Sequence, residues 1–334
     1  MQLIVTGTAG FIGFFIAKRL LEAGRSVIGI DNFNNYYDVS LKEARSRQLR
    51  DYKQFTELRI DLKNKDEVLT AFSKYQPEIV INLAAQAGVR YGFKDPYTYI
   101  DSNIYGFLNI LEGCRHYPVK HLVYASTSSV YGANVKMPFS EHDPADHPLS
   151  IYSASKRANE LMAHSYSHLF DIPCTGLRFF NVYGPWGRPD LALFSFTKNI
   201  LEGKSIEVFN HGNMVRDFTY IDDIVTGVLK VAFEQYPTKI AQISVDPATS
   251  HVASYRLYNI GNNKPENLMR YIECIESELG INAKKIMLSI QPGEVQKTWA
   301  DVTDLSTDTG YAPNTSIERG IKEFIKWYRQ YYKV

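Results

Sequence analysis

Along the first half of the chain, short apolar runs alternate with longer stretches whose apolar residues recur every three or four positions. Leu3-Ile4-Val5 predicts a strand, and Phe15, Ile16 and Leu20 predict a helix over Phe14 to Glu22. Gly24 supplies a stop, and Ser26 to Ile30 predicts a second strand that ends on Asp31. The alternation continues with a polar helix over Val39 to Arg50, a strand over Thr56 to Ile60 and a helix over Asp66 to Tyr75. A strand over Glu78 to Leu83, a long helix over Tyr97 to Tyr117 and a strand starting at His121 to Tyr124 follow. Such alternation predicts an α/β fold with a doubly wound parallel sheet covered by helices on both faces. Past Phe179 the rhythm loosens. Helices are expected over Leu191 to Gly203, Pro265 to Leu279 and Ile317 to Tyr328, with strands over Ile206 to Phe209 and Tyr255 to Ile260. Pro237 to Ser254 is polar and poorly patterned, so it reads as a surface excursion. The expected organisation is a first domain over 1–178 and a smaller C-terminal lobe over 179–334.

The turn after the first strand is Thr6-Gly7-Thr8-Ala9-Gly10-Phe11-Ile12-Gly13. Gly7 permits a tight turn, Gly10 clears space for a pyrophosphate, and Gly13 lets the helix approach the strand. An anion there meets free N–H groups and the positive end of the helix dipole. Asp31, at the end of the second strand, suits the ribose hydroxyls of adenosine and repels a 2′-phosphate, which favours NAD over NADP. A glycine-rich turn in some other α/β protein is the plain alternative. The strand context predicts a Rossmann-type dinucleotide site, because ligands of such sheets lie at the strands' carboxyl ends. Gly7, Asp31, Asp61, Ala84 and Ser126 all stand at predicted strand ends.

Composition narrows the function classes. The 334 residues carry a net charge of +1, so no overall field points to nucleic acid or an anionic membrane. No apolar run approaches the ~20 residues of a membrane span. The apolar start is too short for a leader, and a cytoplasmic location is expected. Cys114, Cys174 and Cys274 form no metal or redox motif and read as small buried hydrophobes. Asp222-Asp223 precede Ile224-Val225 and read as helix capping, so no metal site is expected.

Tyr152-Ser153-Ala154-Ser155-Lys156 puts a phenol and an ammonium at i and i+4 on one helix face. A tyrosine with a reference pKa of ~10 is a poor base, and a fixed cation lowers it toward proton exchange at neutral pH. A tyrosine packed on a lysine stem is the other reading.

These features occur in order with Leu83-Ala84-Ala85-Gln86, Ser126-Thr127-Ser128-Ser129-Val130-Tyr131-Gly132, Arg178-Phe179-Phe180-Asn181-Val182-Tyr183-Gly184-Pro185 and Arg216-Asp217-Phe218-Thr219-Tyr220-Ile221-Asp222-Asp223. Nearly the whole chain resembles the extended short-chain dehydrogenase/reductase family of nucleotide-sugar epimerases and dehydratases. Asn35-Tyr36-Tyr37-Asp38, Gln86-Ala87-Gly88-Val89-Arg90 and Tyr183-Gly184-Pro185-Trp186-Gly187-Arg188-Pro189-Asp190 are most similar to its UDP-glucuronate 4-epimerases.

The resemblance implies catalysis by Tyr152, Lys156 and Thr127, with Tyr152 as acid/base at the sugar 4-hydroxyl. It implies NAD contacts at Gly7, Gly10, Phe11, Ile12, Gly13, Asp31, Asn32, Asp61, Leu62, Leu83, Ala84, Ala85, Gln86 and Asn103, besides Tyr152 and Lys156. A UDP-sugar would meet Thr127, Ser128, Ser129, Asn181, Phe209, Arg216 and Asp301. Ser128 and Ser129 stand where sister dehydratases carry an Asp-Glu pair, which argues against loss of water. Arg188 is the first candidate for a uronate carboxylate, guanidinium being its natural bidentate partner, and Arg90 the second, though Arg90 could equally serve the diphosphate or close a loop. Gln291-Pro292-Gly293-Glu294 resembles a last substrate-facing loop. The family also implies that segments near 215–235 and 255–262 cross back to the first domain, and that the helices Tyr97 to Tyr117 and Ala154 to Phe170 form a homodimer interface, burial of their apolar faces under their own sheet being the alternative. Epimerisation of a neutral UDP-hexose, decarboxylation of UDP-glucuronate and a non-catalytic NAD-binding regulator are the competing readings.

Overall fold

Parallel strands buried on both faces need apolar side chains at every position, and the runs Leu3-Ile4-Val5 and Ile79-Val80-Ile81 meet that need, all six being fully buried. The computed structural model describes residues 1–291 and 295–334. Pro292, Gly293 and Glu294 of the expected substrate-facing loop lie outside the described residues. The first half runs β1 (Gln2–Thr6), α1 (Phe11–Glu22), β2 (Ser26–Ile30), α2 (Val39–Arg50), β3 (Phe55–Leu58), α3 (Lys65–Tyr75) and β4 (Ile79–Asn82). It continues with α4 (Tyr97–Tyr99), a π-helical stretch over Ile100–Tyr105, α5 (Gly106–His116), β5 (His121–Thr127), α6 (Ile151–Phe170) and β6 (Cys174–Phe179). The second half adds β7 (Asn181–Tyr183), α7 (Ala192–Leu201), β8 (Ile206–Phe209), β9 (Val215–Tyr220), α8 (Ile221–Glu234) and β10 (Tyr255–Ile260). Then come β11 (Pro265–Asn267), α9 (Leu268–Leu279), β12 (Lys285–Leu288), β13 (Lys297–Thr298), α10 (Thr303–Thr309) and α11 (Ile317–Tyr332).

Seven of these strands form one parallel sheet in the order β10-β6-β5-β4-β1-β2-β3. Successive side chains alternate faces, so each strand feeds two cores. Leu3, Val5, Ile79 and Ile81 pack into the layer of α1, α8 and α11, whereas Ile4 and Val80 pack with Phe72, Phe107 and Ile110 on the other face. The chain winds from β1 out to β3, then resumes at β4 on the far side of β1. That reversal opens a crevice at the carboxyl ends of β1 and β4, the usual ligand position in such sheets. The smaller sheets hold β11-β9-β13 with β7 beside β9, and β12 with β8.

Three elements differ from the sequence expectation. The helix expected over Tyr97 to Tyr117 is interrupted by π-helical turns, which free the Asn103 carbonyl to accept from the Asn159 side chain at 2.6 Å. Pro265 to Asn267 is a strand rather than a helix start, because it pairs antiparallel with β9, and Asn267 then caps α9 through Met269 N. Asp222 and Asp223 occupy the first turn of α8 rather than its cap; Asp222 meets Arg19, and Asp223 accepts from Thr315 N. The 237–254 stretch is irregular, tied to α6 through Ser167 and His168 and to His142 through Asp246.

Candidate active site

The crevice opens into a cleft of about 1020 Å³ that reaches from the glycine-rich turn to β8 and β9. Small-molecule pockets are typically ~300–1,000 Å³, so this one has room for two sizeable ligands. At one end Gly7 lies at φ +76°, and a Cβ there would stand 3.0 Å from Ala84 N. A Cβ on Gly13 would collide with the Gly7 carbonyl. The helix α1 begins at Gly10 with no side-chain cap and no acidic residue in its first turn, which leaves its N–H groups to an anion.

Asp31 sits beside this turn, oriented by Ala9 N at 3.0 Å and Phe33 N at 2.9 Å. Burial raises its pKa, opposed by those two amides, Lys42 and Arg45. Asn32 donates to Asp61 at 3.1 Å, and both line the cleft with Phe11, Ile12 and Leu62. Leu83 to Gln86 form its floor. The residues present therefore fit a dinucleotide. Asn103 does not line the cleft: its side chain is consumed by Gln86 N, Gln86 O and Ser155, so it shapes the floor from behind. Lys42 is a lining residue that pattern reading passed over. Asn34 holds its ammonium through two oxygens, each at 2.7 Å, and burial pushes its pKa down to about 8. Its signal was present, since Leu41, Lys42, Arg45 and Leu49 share the buried face of the otherwise polar α2.

In the middle of the cleft, α6 delivers Tyr152 and Lys156 from its first turns. Ser150 and Ser153 form a reciprocal capping box that sets where this helix begins. Thr127 ends β5, accepts from Ser129 N at 3.2 Å and lines the same cleft as Tyr152. The pKa of Tyr152 moves opposite to the expected direction. Burial raises it, and the groups opposing the rise are Thr127 and Arg188 rather than Lys156. Burial brings Lys156 down to about 8 while the Glu160 carboxylate resists. Glu160 is itself fully buried and anchored by Ser126 at 2.6 Å and by a bidentate pair with Arg178 at 2.9 Å. Burial disfavours its charge, but Arg178, Ser126 and Arg157 outweigh that and hold its pKa below the usual carboxylate range.

At the far end, Ser128, Ser129, Asn181, Arg90, Phe209 and Arg216 all line the same cleft. The Arg90 guanidinium lies 4.5 Å from the centre of the Phe209 ring. Arg188 lines it too, with its fork engaged by Asp190 at 2.9 and 2.5 Å. A substrate carboxylate is thus left the remaining N–H edge of Arg188, not the whole fork. The Asp301 carboxylate accepts from Thr303 N and Oγ1 at the start of α10, and Asp301 does not line the cleft. Among the described residues, no group of three or more His, Cys, Asp or Glu is placed to hold a metal ion. No helix there is long and apolar enough to cross a membrane.

Fold and cleft together define a Rossmann-type dinucleotide-dependent protein with a tyrosine, a lysine and a threonine gathered between its two ligand regions. Residues 3–243 match the NAD dependent epimerase/dehydratase family, and the chain belongs to that family. It is 52% identical over 334 residues to Protein CapI of Staphylococcus aureus, covering 100% of both chains. It is 44% identical over 336 residues to a probable UDP-glucuronate 4-epimerase of Rhizobium meliloti, covering 100% of this chain and 98% of that one. Among solved structures it is similar to UDP-glucuronic acid 4-epimerase from Bacillus cereus in complex with UDP-glucuronic acid and NAD. The TM-score there is 0.89 at 33% identity, with 99% of this chain and 100% of that one covered.

Proposed function

We propose that this protein is an isomerase, an NAD-dependent 4-epimerase that interconverts UDP-glucuronate and UDP-galacturonate. The observation that carries the reading is the convergence of Thr127, Tyr152, Lys156 and Arg188 in one cleft with the glycine-rich turn. NAD, held by the glycine turn, Asp31 and the 83–86 floor, supplies hydride exchange at C4 of the sugar when bound. The protein's own task is the proton on O4, which must leave during oxidation and return during reduction. Tyr152 takes and returns that proton, and Thr127 holds the 4-oxygen against it. Lys156, kept cationic by Glu160, stabilises the phenolate once substrate and cofactor have displaced water. Ser128 and Ser129 supply hydroxyls but no carboxylic acid, so β-elimination of water has no acid/base pair here.

In this reading Arg188 meets the uronate carboxylate, Arg90 and Phe209 flank the nucleotide, and Asn181 and Arg216 face the diphosphate. One observation favours a second substrate class. Asp190 already neutralises much of the Arg188 charge, which suits a neutral UDP-hexose. Incubation with UDP-glucuronate and separation of the nucleotide sugars tests both: UDP-galacturonate without CO2 supports the reading. Turnover of UDP-galactose alone would overturn it, and CO2 release would mark a decarboxylase.

The same reading divides the chain into an NAD-binding part over 1–178 and a nucleotide-sugar lobe over 179–334. It also takes the protein as a cytoplasmic homodimer that supplies uronate for polysaccharide synthesis. Exposed Tyr97, Ile100 and Tyr105 and, on α6, Leu161 and Leu169 support the dimer. Sedimentation at monomer mass throughout the micromolar range would exclude it.

A further inference from the structure

Among the described residues the two largest fully buried side chains are both arginines, Arg178 and Arg45. Arg178 pairs through Nε and Nη2 with the Glu160 carboxylate, its Nη1 being left without a hydrogen-bond partner. Arg45, on α2, instead spends its guanidinium on four neutral oxygens. It donates to Ala9 O at 2.8 Å and to the Tyr37 hydroxyl at 2.7 Å. It reaches Trp186 O through two nitrogens, at 3.2 and 2.6 Å, and Gly187 O at 3.4 Å. Taking a cation out of water to serve neutral acceptors is costly, and a fully hydrogen-bonded buried network rigidifies the segments it joins.

The parts joined are distinct. Ala9 belongs to the glycine-rich turn, whereas Trp186 and Gly187 belong to the loop that leads to Arg188 and Asp190. Trp186 sits at φ +61°, a left-handed conformation that a non-glycine residue holds only when its surroundings enforce it. Its indole is wedged against Phe14, Trp327 and Tyr331. The ring contacts fix the side chain, and the two hydrogen bonds donated by Arg45 fix the carbonyl. Tyr36 adds a second tie from the same region by donating to Asp190 at 3.3 Å.

We propose that Arg45 is a positioning residue: it clamps the 184–190 loop to the glycine-rich turn and so sets where Arg188 stands relative to the sugar. The consequence for uronate turnover rests on the reading of Arg188 as the carboxylate partner; the clamp itself does not. Because a displacement of about 1 Å at a reacting group can cost on the order of 100-fold in rate, a loosened loop should be felt in catalysis.

The test uses Arg45→Met and Arg45→Lys in the full chain with NAD. Lysine keeps the charge but cannot span both carbonyls, and it serves if the methionine variant does not fold. Hydrogen exchange is read for residues 184–191, with 121–127 in the central sheet as the control. The expected result is loop exchange faster by about tenfold or more with the control unchanged. With it should come a loss of about 10- to 100-fold in kcat/KM for UDP-glucuronate. Unchanged loop exchange, or equal acceleration in loop and control, would overturn the clamp. In an Arg188→Ala background the Arg45 substitution should have little further effect on the uronate; a full, multiplicative loss would overturn action through Arg188. Should Arg188→Ala alone weaken uronate and neutral hexose equally, the carboxylate reading fails, while the exchange data still decide the clamp.

Discussion

Tyr152 illustrates how a residue's chemistry depends on what surrounds it. Spacing alone makes Lys156 its activator, yet burial dominates both groups, raising the phenol and lowering the ammonium. The proposed mechanism requires Lys156 to stay charged, and the group that favours its charge is Glu160, one helical turn further along α6. Glu160→Gln therefore should lower the Lys156 pKa below about 8 and move the alkaline limb of kcat to lower pH, since the cation is then lost earlier. A limb that stays in place in the pH–rate profile would refute this role. Tyr152→Phe should retain NAD yet lose at least ~100-fold in kcat, the typical contribution of a positioned acid/base. Binding of NAD by absorbance and turnover by product analysis separate the two effects.

Elements place these residues by spending polar groups on backbone. Asp217, part of the Arg216-to-Asp223 motif, is buried within β9 and accepts from Asn262 N, Asn263 N and Ala300 N at 2.7–3.0 Å. It ties the turn after β10 and the residues after β13 to β9, which also carries Arg216. Asp217→Ala would strand the two buried amides of Asn262 and Ala300, each costing ~1–3 kcal/mol, so a loss of at least ~2 kcal/mol in urea unfolding is expected. A change under 1 kcal/mol would mean that water or another acceptor replaces it. The π-helical stretch works the same way: it releases the Asn103 carbonyl to Asn159 and aims the Asn103 amide at Gln86. Strand and helix positions were legible because burial on both sheet faces demands apolar runs. The π turns, the β11 pairing and the Asp217 hub were not, because each depends on partners tens of residues away.

At the scale of the whole molecule, polar contacts lock the excursion at 237–254 and the start of α10 to the loop after β5. Both ring nitrogens of His142 meet carboxylates, Asp246 at 2.7 Å and Asp304 at 2.9 Å, so the imidazolium is the form that satisfies them. Arg256 also binds Asp304 and lies 3.5 Å from Asp308. Burial works against the His142 cation, but Asp246 and Asp304 outweigh it and raise its pKa. Glu141 beside it is pushed from 4.5 up to about 7 by burial. Both folded-state values lie above the unfolded ones, so both contributions are present at low pH and lost as pH rises. For Glu141 the loss spans pH 4.5 to about 7, and for His142 it begins near 6.5. Tm should therefore fall across this window, and Glu141→Gln should flatten the part below pH 7. An unchanged slope in a thermal-melt series would reject the assignment.

The pattern of apolar and polar positions by itself determined the parallel α/β sheet, because strands buried on both faces and helices buried on one obey different periodicities. It also determined the strand-end glycines and Asp31, since a turn beside a pyrophosphate restricts residue type locally. Ordered motifs carried the family. Tertiary structure alone decided that Asn103 and Asp301 do not line the cleft, that Arg188 comes already paired with Asp190, and that Arg45 joins the loop before Arg188 to the glycine-rich turn. Those outcomes depend on desolvation and on contacts between distant segments, and no local spacing encodes either.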